Sequence, residues 1–385
     1  MNQFPDNITS KLPQTGTSIF AVMSKMAAEH GAINLSQGFP DFPVSEELIK
    51  LVNKNMLAGN NQYAPMPGLM KLREAISEKT EFLYSAQYNP ETEITVTAGA
   101  TQALFSAIIA LVREDDEVIV FEPAYDSYIP AIKLAGGIPI CIQLTTPDYK
   151  IDWDQVKKLI NPRTKMIIIN TPHNPSGSVL NAEDMLRLER LIKNTGIIIL
   201  SDEVYEHIIF DGLEHQSVCR YPLLAERSIV CCSFGKTFHA TGWKTGYCVA
   251  PENIMKEFRK THQFTVFCSN TPVQHAIAEY IKNKDNYINL GEFYQEKRDI
   301  FLENIKSSRF KPITASGTYF QLLDYSKISK EGEMIFAEKL IKEHKVASVP
   351  VSSFYASPNN NNVLRFCFAK SKETLEKAAE ILCKI

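Results

Sequence analysis

Residues Cys231–Gly246 read CCSFGKTFHATGWKTG, with a Gly-Lys-Thr directly behind an apolar run. The triplet invites a nucleotide phosphate-loop reading, but that loop needs another glycine five residues before the Gly-Lys pair, so that successive amides curl round the anion. Position 230 is Val230. The preceding residues, Ser228-Ile229-Val230-Cys231-Cys232-Ser233, are apolar and β-favouring, which places Lys236 just past the end of a buried strand. A lysine there is short of water and disposed to react.

Four more strands of this kind are expected at Glu93–Thr97, Glu117–Phe121, Lys165–Asn170 and Gly196–Ser201, alternating with helical patterns at Thr101–Val112, Ser127–Ala135 and Ala182–Lys193. Continuous apolar runs such as MIIIN (166–170) and IIIL (197–200) suit a sheet covered on both faces. The fold class is therefore α/β with a mostly parallel sheet. Beyond about Asn289 the order changes, with a helix around Phe293–Ile305 and less regular strands at Gly317–Leu323 and Val363–Phe368. The reading is a large domain over 45–288 and a smaller one made of 1–44 with 289–385, with Ser357–Asn362, SPNNNN, as an exposed loop.

Composition excludes several partners. The 385 residues carry 41 Lys and Arg against 44 Asp and Glu, a net charge of −3, so no basic field attracts nucleic acid or anionic lipid. The longest apolar run, Ala103–Val112, is about half the ~20 residues of a membrane span. The start, MNQFPDNITS, lacks the layout of a signal peptide, so a cytoplasmic protein acting on small molecules is expected. Eight cysteines without a CxxC pair, five of them (Cys141, Cys231, Cys232, Cys248, Cys367) in apolar strands, read as buried hydrophobes. The histidines are scattered, so no metal is expected.

In parallel sheets ligands collect beyond the carboxyl ends of the strands, and polar residues gather there in this chain. Gly99-Ala100-Thr101 opens a helix whose free amides and dipole favour a phosphate. Ser233 and Lys244 offer a hydroxyl and a charge to the same anion, although each alone also suits a cap or a solvated lysine. Asp202, at the mouth of a buried strand, needs a partner such as a cationic ring nitrogen; a helix N-cap is the alternative. Tyr125 suits core packing or a stacking platform, and Asn174 and Tyr205 offer hydrogen bonds to a phenolic oxygen. With Lys236 the set matches pyridoxal 5′-phosphate, whose aldehyde forms a Schiff base with a desolvated lysine.

The chain resembles the class I aminotransferases of the pyridoxal-phosphate fold, fold type I, in the branch of the kynurenine and bacterial methionine aminotransferases. The likeness rests on NLSQGFPDFP (34–43), NQYAPMPG (61–68), TAGAT (97–101), NTPHNPSG (170–177), SDEVY (201–205), SFGKTFHATGWKTGY (233–247) and LRF (364–366). It implies a mixed, mostly parallel sheet between helices in the large domain and an α+β small domain. By the same likeness Lys236 is the catalytic Schiff-base lysine, Asp202 pairs the ring nitrogen, Asn174 and Tyr205 hold the ring oxygen, and Tyr125 stacks on the ring. Gly99, Ala100, Thr101, Ser233 and Lys244 hold the phosphate; Lys244 stands where the wider superfamily more usually has arginine. The resemblance also implies a homodimer, with Tyr63 reaching the partner's phosphate and Phe267 its substrate pocket. Arg365 clamps the substrate carboxylate with Asn174 and the Gly38 backbone. The residues alone agree on Arg365, because a guanidinium interrupting the apolar strand Val363–Phe368 suits a planar anion, a structural salt bridge being the other reading.

Phe264–Pro272, Phe39 and Tyr63 supply apolar surface, and no second arginine is placed to meet a side-chain carboxylate. The expected reaction is ping-pong transfer from methionine first, then phenylalanine, tyrosine and kynurenine, to a 2-oxo acid. A cysteine-conjugate β-lyase, an aspartate aminotransferase and a cofactor-binding regulator are the alternatives.

Overall fold

The computed structural model describes residues 8–357 and 359–385. A seven-stranded sheet runs in the order Ile94–Thr97, Gly246–Val249, Ser228–Ser233, Ile198–Asp202, Thr164–Asn170, Glu117–Glu122, Ile138–Gln143. The first two pairings are antiparallel and the other four parallel. The five expected strands are all present, shifted by a residue or two at their ends. Two more complete the sheet, around Cys248 and Cys141. Ile138–Gln143 lies at the edge, where Pro139 removes a donor at little cost and only Ile142 is fully buried.

Alternate residues of each strand feed opposite faces. Val118, Val120, Ile168, Leu200 and Cys231 pack under Ala103, Leu104, Ala107 and Ile108 of the helix Ala100–Leu111. Ile119, Phe121, Ile167, Ile169 and Val230 face Trp153, Met185 and Leu188 on the other side. Both faces are covered, which is why these strands read as unbroken apolar runs. All eight cysteines are free.

A second, four-stranded antiparallel sheet follows, in the order Val349–Pro350, Val363–Cys367, Phe320–Asp324, Lys311–Ile313, with helices Leu290–Asn304, Glu333–His344 and Lys372–Leu382. The N-terminal segment joins this part. Ile33–Asn34 pairs in parallel with Val346–Ala347, and the Leu35 carbonyl accepts from the Cys367 amide at 2.8 Å. Ser36–Gly38 are thereby carried to Arg365 and Lys236. Among the described residues between Ser357 and Asn362 no helix or strand forms, and Ser357 and Asn360 are exposed; position 358 lies outside the described residues. No helix among the described residues is long and apolar enough to cross a membrane.

Candidate active site

Three neighbouring parallel strands end on Asn170, Asp202 and Ser233, and all three residues line a cavity of about 240 Å³. The register pairs Asn170 with Asp202, so their side chains leave the sheet side by side. The opposite wall comes from the second sheet and the N-terminal segment, through Phe20, Gln37, Gly38, Phe320 and Arg365.

Lys236 sits in a single helical turn, Phe234–Thr237, immediately after its strand. Its Nζ donates to the Tyr319 hydroxyl at 2.7 Å and to the Gly38 carbonyl at 3.1 Å. Burial pushes the amine down to about 8, with Arg365 and Lys244 acting the same way against Cys367 and Asp202. Asp202 is buried, and burial pushes its carboxyl up to about 6. Tyr128 limits that rise by donating to Oδ2 at 2.5 Å, as does the Val204 amide, which reaches Oδ1 at 3.3 Å. Asp202 closes a strand and is followed by a turn, so the helix N-cap alternative does not hold.

The helix Ala100–Leu111 begins abruptly because Gly99 takes φ +78°, a left-handed conformation open to glycine, and brings no capping side chain. Its first amides are left without intrahelical partners at the cavity wall. A Cβ on Gly99 would meet Cε and Nζ of Lys244 at 3.5 Å, so that lysine lies across the helix start. Gly246 is needed as closely, since a Cβ there would stand 2.6 Å from the Cys232 carbonyl and 3.0 Å from the Ala100 amide. Ser233, Thr241 and Thr245 complete this corner, an anion cradle.

Tyr125 lines the cavity, bonds Thr101 Oγ1 at 3.2 Å and meets Tyr128 edge-on at 5.7 Å. Tyr205 is buried edge-on against Tyr319 at 5.1 Å. Arg365, only 1% exposed, donates from Nη1 to Asn174 Oδ1 at 2.6 Å and from Nη2 to the Ser36 carbonyl at 3.2 Å. Its Cζ lies 3.8 Å from the centre of the Phe320 ring, with the Phe20 and Phe354 ring centres each at 5.1 Å. Its Nε is buried without a partner, and burial pushes the guanidinium down to about 10. Among the described residues no acidic side chain pairs with Arg365, so the salt-bridge reading finds no support there.

Gly38, Gly99, Ala100, Thr101, Tyr125, Asn174, Asp202, Tyr205, Ser233, Lys236, Lys244 and Arg365 therefore all line one cavity. Tyr63 and Phe267 do not. They meet edge-to-face at 5.5 Å on the surface, 85% and 41% exposed. Tyr128 and Tyr319, which bind the two charged groups at the centre, were not singled out in the sequence. Tyr128 opens the helix Tyr128–Leu134, with Tyr125 in the loop before it, and neither Tyr128 nor Tyr319 carried a local signal.

A strand-end lysine of lowered basicity, a strand-end carboxylate, an uncapped helix start and a buried guanidinium define an enzyme site for small, charged substrates. Residues 30–382 match the family described as aminotransferase class I and II, and the chain belongs to it; it is an aminotransferase, and members of the family use pyridoxal phosphate. It is 49% identical to the methionine aminotransferase of Escherichia coli strain K12 over 97% of both chains. It is 35% identical to the kynurenine–oxoglutarate transaminase of Dictyostelium discoideum, over 96% of this chain and 94% of that one. The crystal structure of YbdL from Escherichia coli, described as having a methionine aminotransferase function, superposes with a TM-score of 0.97 at 48% identity, covering 99% of this chain and all of that one. The fold is that of the fold-type I aminotransferases.

Proposed function

We propose that the enzyme transfers the amino group of methionine, and after it of phenylalanine, tyrosine and kynurenine, to a 2-oxo acid by a ping-pong mechanism with pyridoxal 5′-phosphate. The observation that carries this reading is the cavity lining: Phe20 and Phe320 lie against Arg365, Leu104 and Tyr125 line the same cavity, and Arg365 is the one arginine in that lining. A side-chain carboxylate would meet no second guanidinium there, whereas an apolar thioether or ring is matched. The similarity to methionine aminotransferase supports the same choice.

The site fits the cofactor by its own chemistry, since it joins an uncapped, lysine-covered helix start, a buried carboxylate and an amine of lowered basicity. Gly99, Ala100, Thr101, Ser233 and Lys244 would hold the phosphate, Asp202 the ring nitrogen, Asn174 and Tyr205 the ring oxygen, Tyr125 the ring face and Lys236 the carbonyl carbon. The chemistry this group supplies when bound is an electron sink, a carbonyl for the substrate amine and a ring for the electrons freed at Cα. Arg365, which lines the cavity, binds the α-carboxylate through its planar guanidinium. Asp202, ionised above about 6, keeps a positive charge on its partner. Lys236, with an amine at about 8, is neutral often enough near neutral pH to take the proton from Cα and return it.

The small domain in this reading is 1–44 with 289–385, the large one 45–288. The enzyme acts as a homodimer in the cytoplasm, the exposed Tyr63 and Phe267 serving the neighbouring copy's site. The test is an amino-donor panel on purified enzyme with steady-state rates. Methionine should lead; rates favouring aspartate tenfold over methionine overturn the substrate reading, and pyruvate with ammonia formed without an acceptor would reassign it to β-elimination. Lys236→Ala should abolish both turnover and the visible absorption of the lysine-bound cofactor.

A further inference from the structure

The Lys236 amine is held by a closed triangle of hydrogen bonds. Tyr319 donates its one hydroxyl proton to the Gly38 carbonyl at 2.6 Å, so toward Nζ it has only lone pairs to present. The amine must donate to it, at 2.7 Å, and its second N–H goes to the same Gly38 carbonyl at 3.1 Å. A neutral amine has two N–H bonds and one lone pair. With both N–H bonds taken by one wall, the lone pair is turned away from that wall, toward the cavity that Asp202 and Arg365 also line. The holder is rigid: Tyr319 is fully buried and packed against Tyr205, Phe320 and Tyr294 at 5.1, 4.9 and 5.6 Å between ring centres.

We propose that Tyr319 is a positioning residue for the proton transfer, its Gly38-locked hydroxyl aiming the lone pair of Lys236 at the substrate carbon. The proposal deepens the reading above and rests on Lys236 being the base. The titratable groups facing the amine are Tyr205, Tyr319, Asp202, Lys244, Arg365 and Cys367, and those facing the phenol are Tyr205, Tyr294 and Cys367. Burial raises the Tyr319 phenol well above its usual range, so it stays a neutral hydroxyl throughout the working pH. An ammonium would place its third proton where this wall offers no acceptor, which agrees with the lowered basicity of Lys236.

The test is Tyr319→Phe, measured in two ways. In the loaded enzyme kcat for methionine should fall about 10–100-fold with KM nearly unchanged, and the isotope effect with α-deuterated methionine should rise, because proton transfer alone has been slowed. In cofactor-free protein, the rate of taking up pyridoxal phosphate, followed by visible absorbance against pH, should have its midpoint at lower pH than wild type, because the ammonium loses an acceptor. An unchanged midpoint together with unchanged kcat overturns the proposal. If Tyr319→Phe fails to fold, 3-fluorotyrosine at position 319 keeps the shape and weakens the acceptor; it should move the midpoint the same way by less, and an unmoved midpoint overturns the proposal. Lys236→Ala separates the two readings. If it still loads and turns over, the lysine assignment has fallen; if it is dead while Tyr319→Phe behaves as wild type, only the role of Tyr319 has.

Discussion

Replacing Tyr128 by phenylalanine removes the 2.5 Å hydrogen bond to Asp202 and leaves the buried ring in place. The Asp202 carboxyl rises on folding from its ordinary 3.8 to about 6, chiefly by burial. A group raised in this way favours the fold while neutral, so its contribution is complete below pH 4 and is lost as pH climbs through 6. At about 1.4 kcal/mol per unit the loss is roughly 3 kcal/mol in cofactor-free protein. Tyr128 donates to the ionised form, a bond to a charged acceptor worth about 1.5–3 kcal/mol, so its removal should raise the carboxyl by a further one to two units or so. Urea unfolding of cofactor-free wild type and Tyr128→Phe across pH 4–9 should therefore show curves that nearly meet at pH 4 and separate by about 1.5–3 kcal/mol at pH 9. In an Asp202→Asn background the separation should vanish. A gap of the same size at both ends of the range, or one that survives Asp202→Asn, refutes the assignment of Tyr128 as the group that keeps this carboxylate ionised.

Arg365→Lys keeps the charge and loses the planar fork, so kcat/KM for methionine should fall about 100-fold, with uptake of the cofactor unaffected; an unchanged kcat/KM would remove Arg365 from substrate binding. Lys79→Met breaks a buried pair with Glu206 at 2.7 Å and should cost about 3–5 kcal/mol at pH 7, read by chemical unfolding. Burial pushes the Glu206 carboxyl up, but Lys79, His207 and hydrogen bonds from Lys79 and Tyr84 outweigh it and hold the group well below the usual carboxylate range. Its contribution is present above about pH 4.5 and is lost as pH falls toward the depressed value, so the gap between wild type and variant should narrow on acidification.

The parallel core was legible because burial on both faces leaves no polar residue within strands such as Met166–Ile169, and the polar residue that ends each run marks the site. Asp202, Ser233 and Lys236 were found in that way. The edge strand Ile138–Gln143 was harder, since only one of its six residues is fully buried and a proline interrupts it. Phe20, Gln37 and Phe320 were not picked out as site residues, because nothing local distinguishes a cavity-lining aromatic from a core one. Tyr319 touches Lys236 across 83 residues of chain, through an approach of the two sheets that no periodicity encodes. The helix-cap reading of Asp202 failed because a turn, and no helix, follows its strand.

The pairing of Asn170 with Asp202, and of Asp202 with Cys231, has a bearing on how the chain matures. A slip of one residue between these strands would turn the carboxylate through the sheet into the hydrocarbon of the opposite layer. On the proposed reading only a correctly aligned sheet would bring the coenzyme its acid, so the strength of cofactor binding would report on strand alignment.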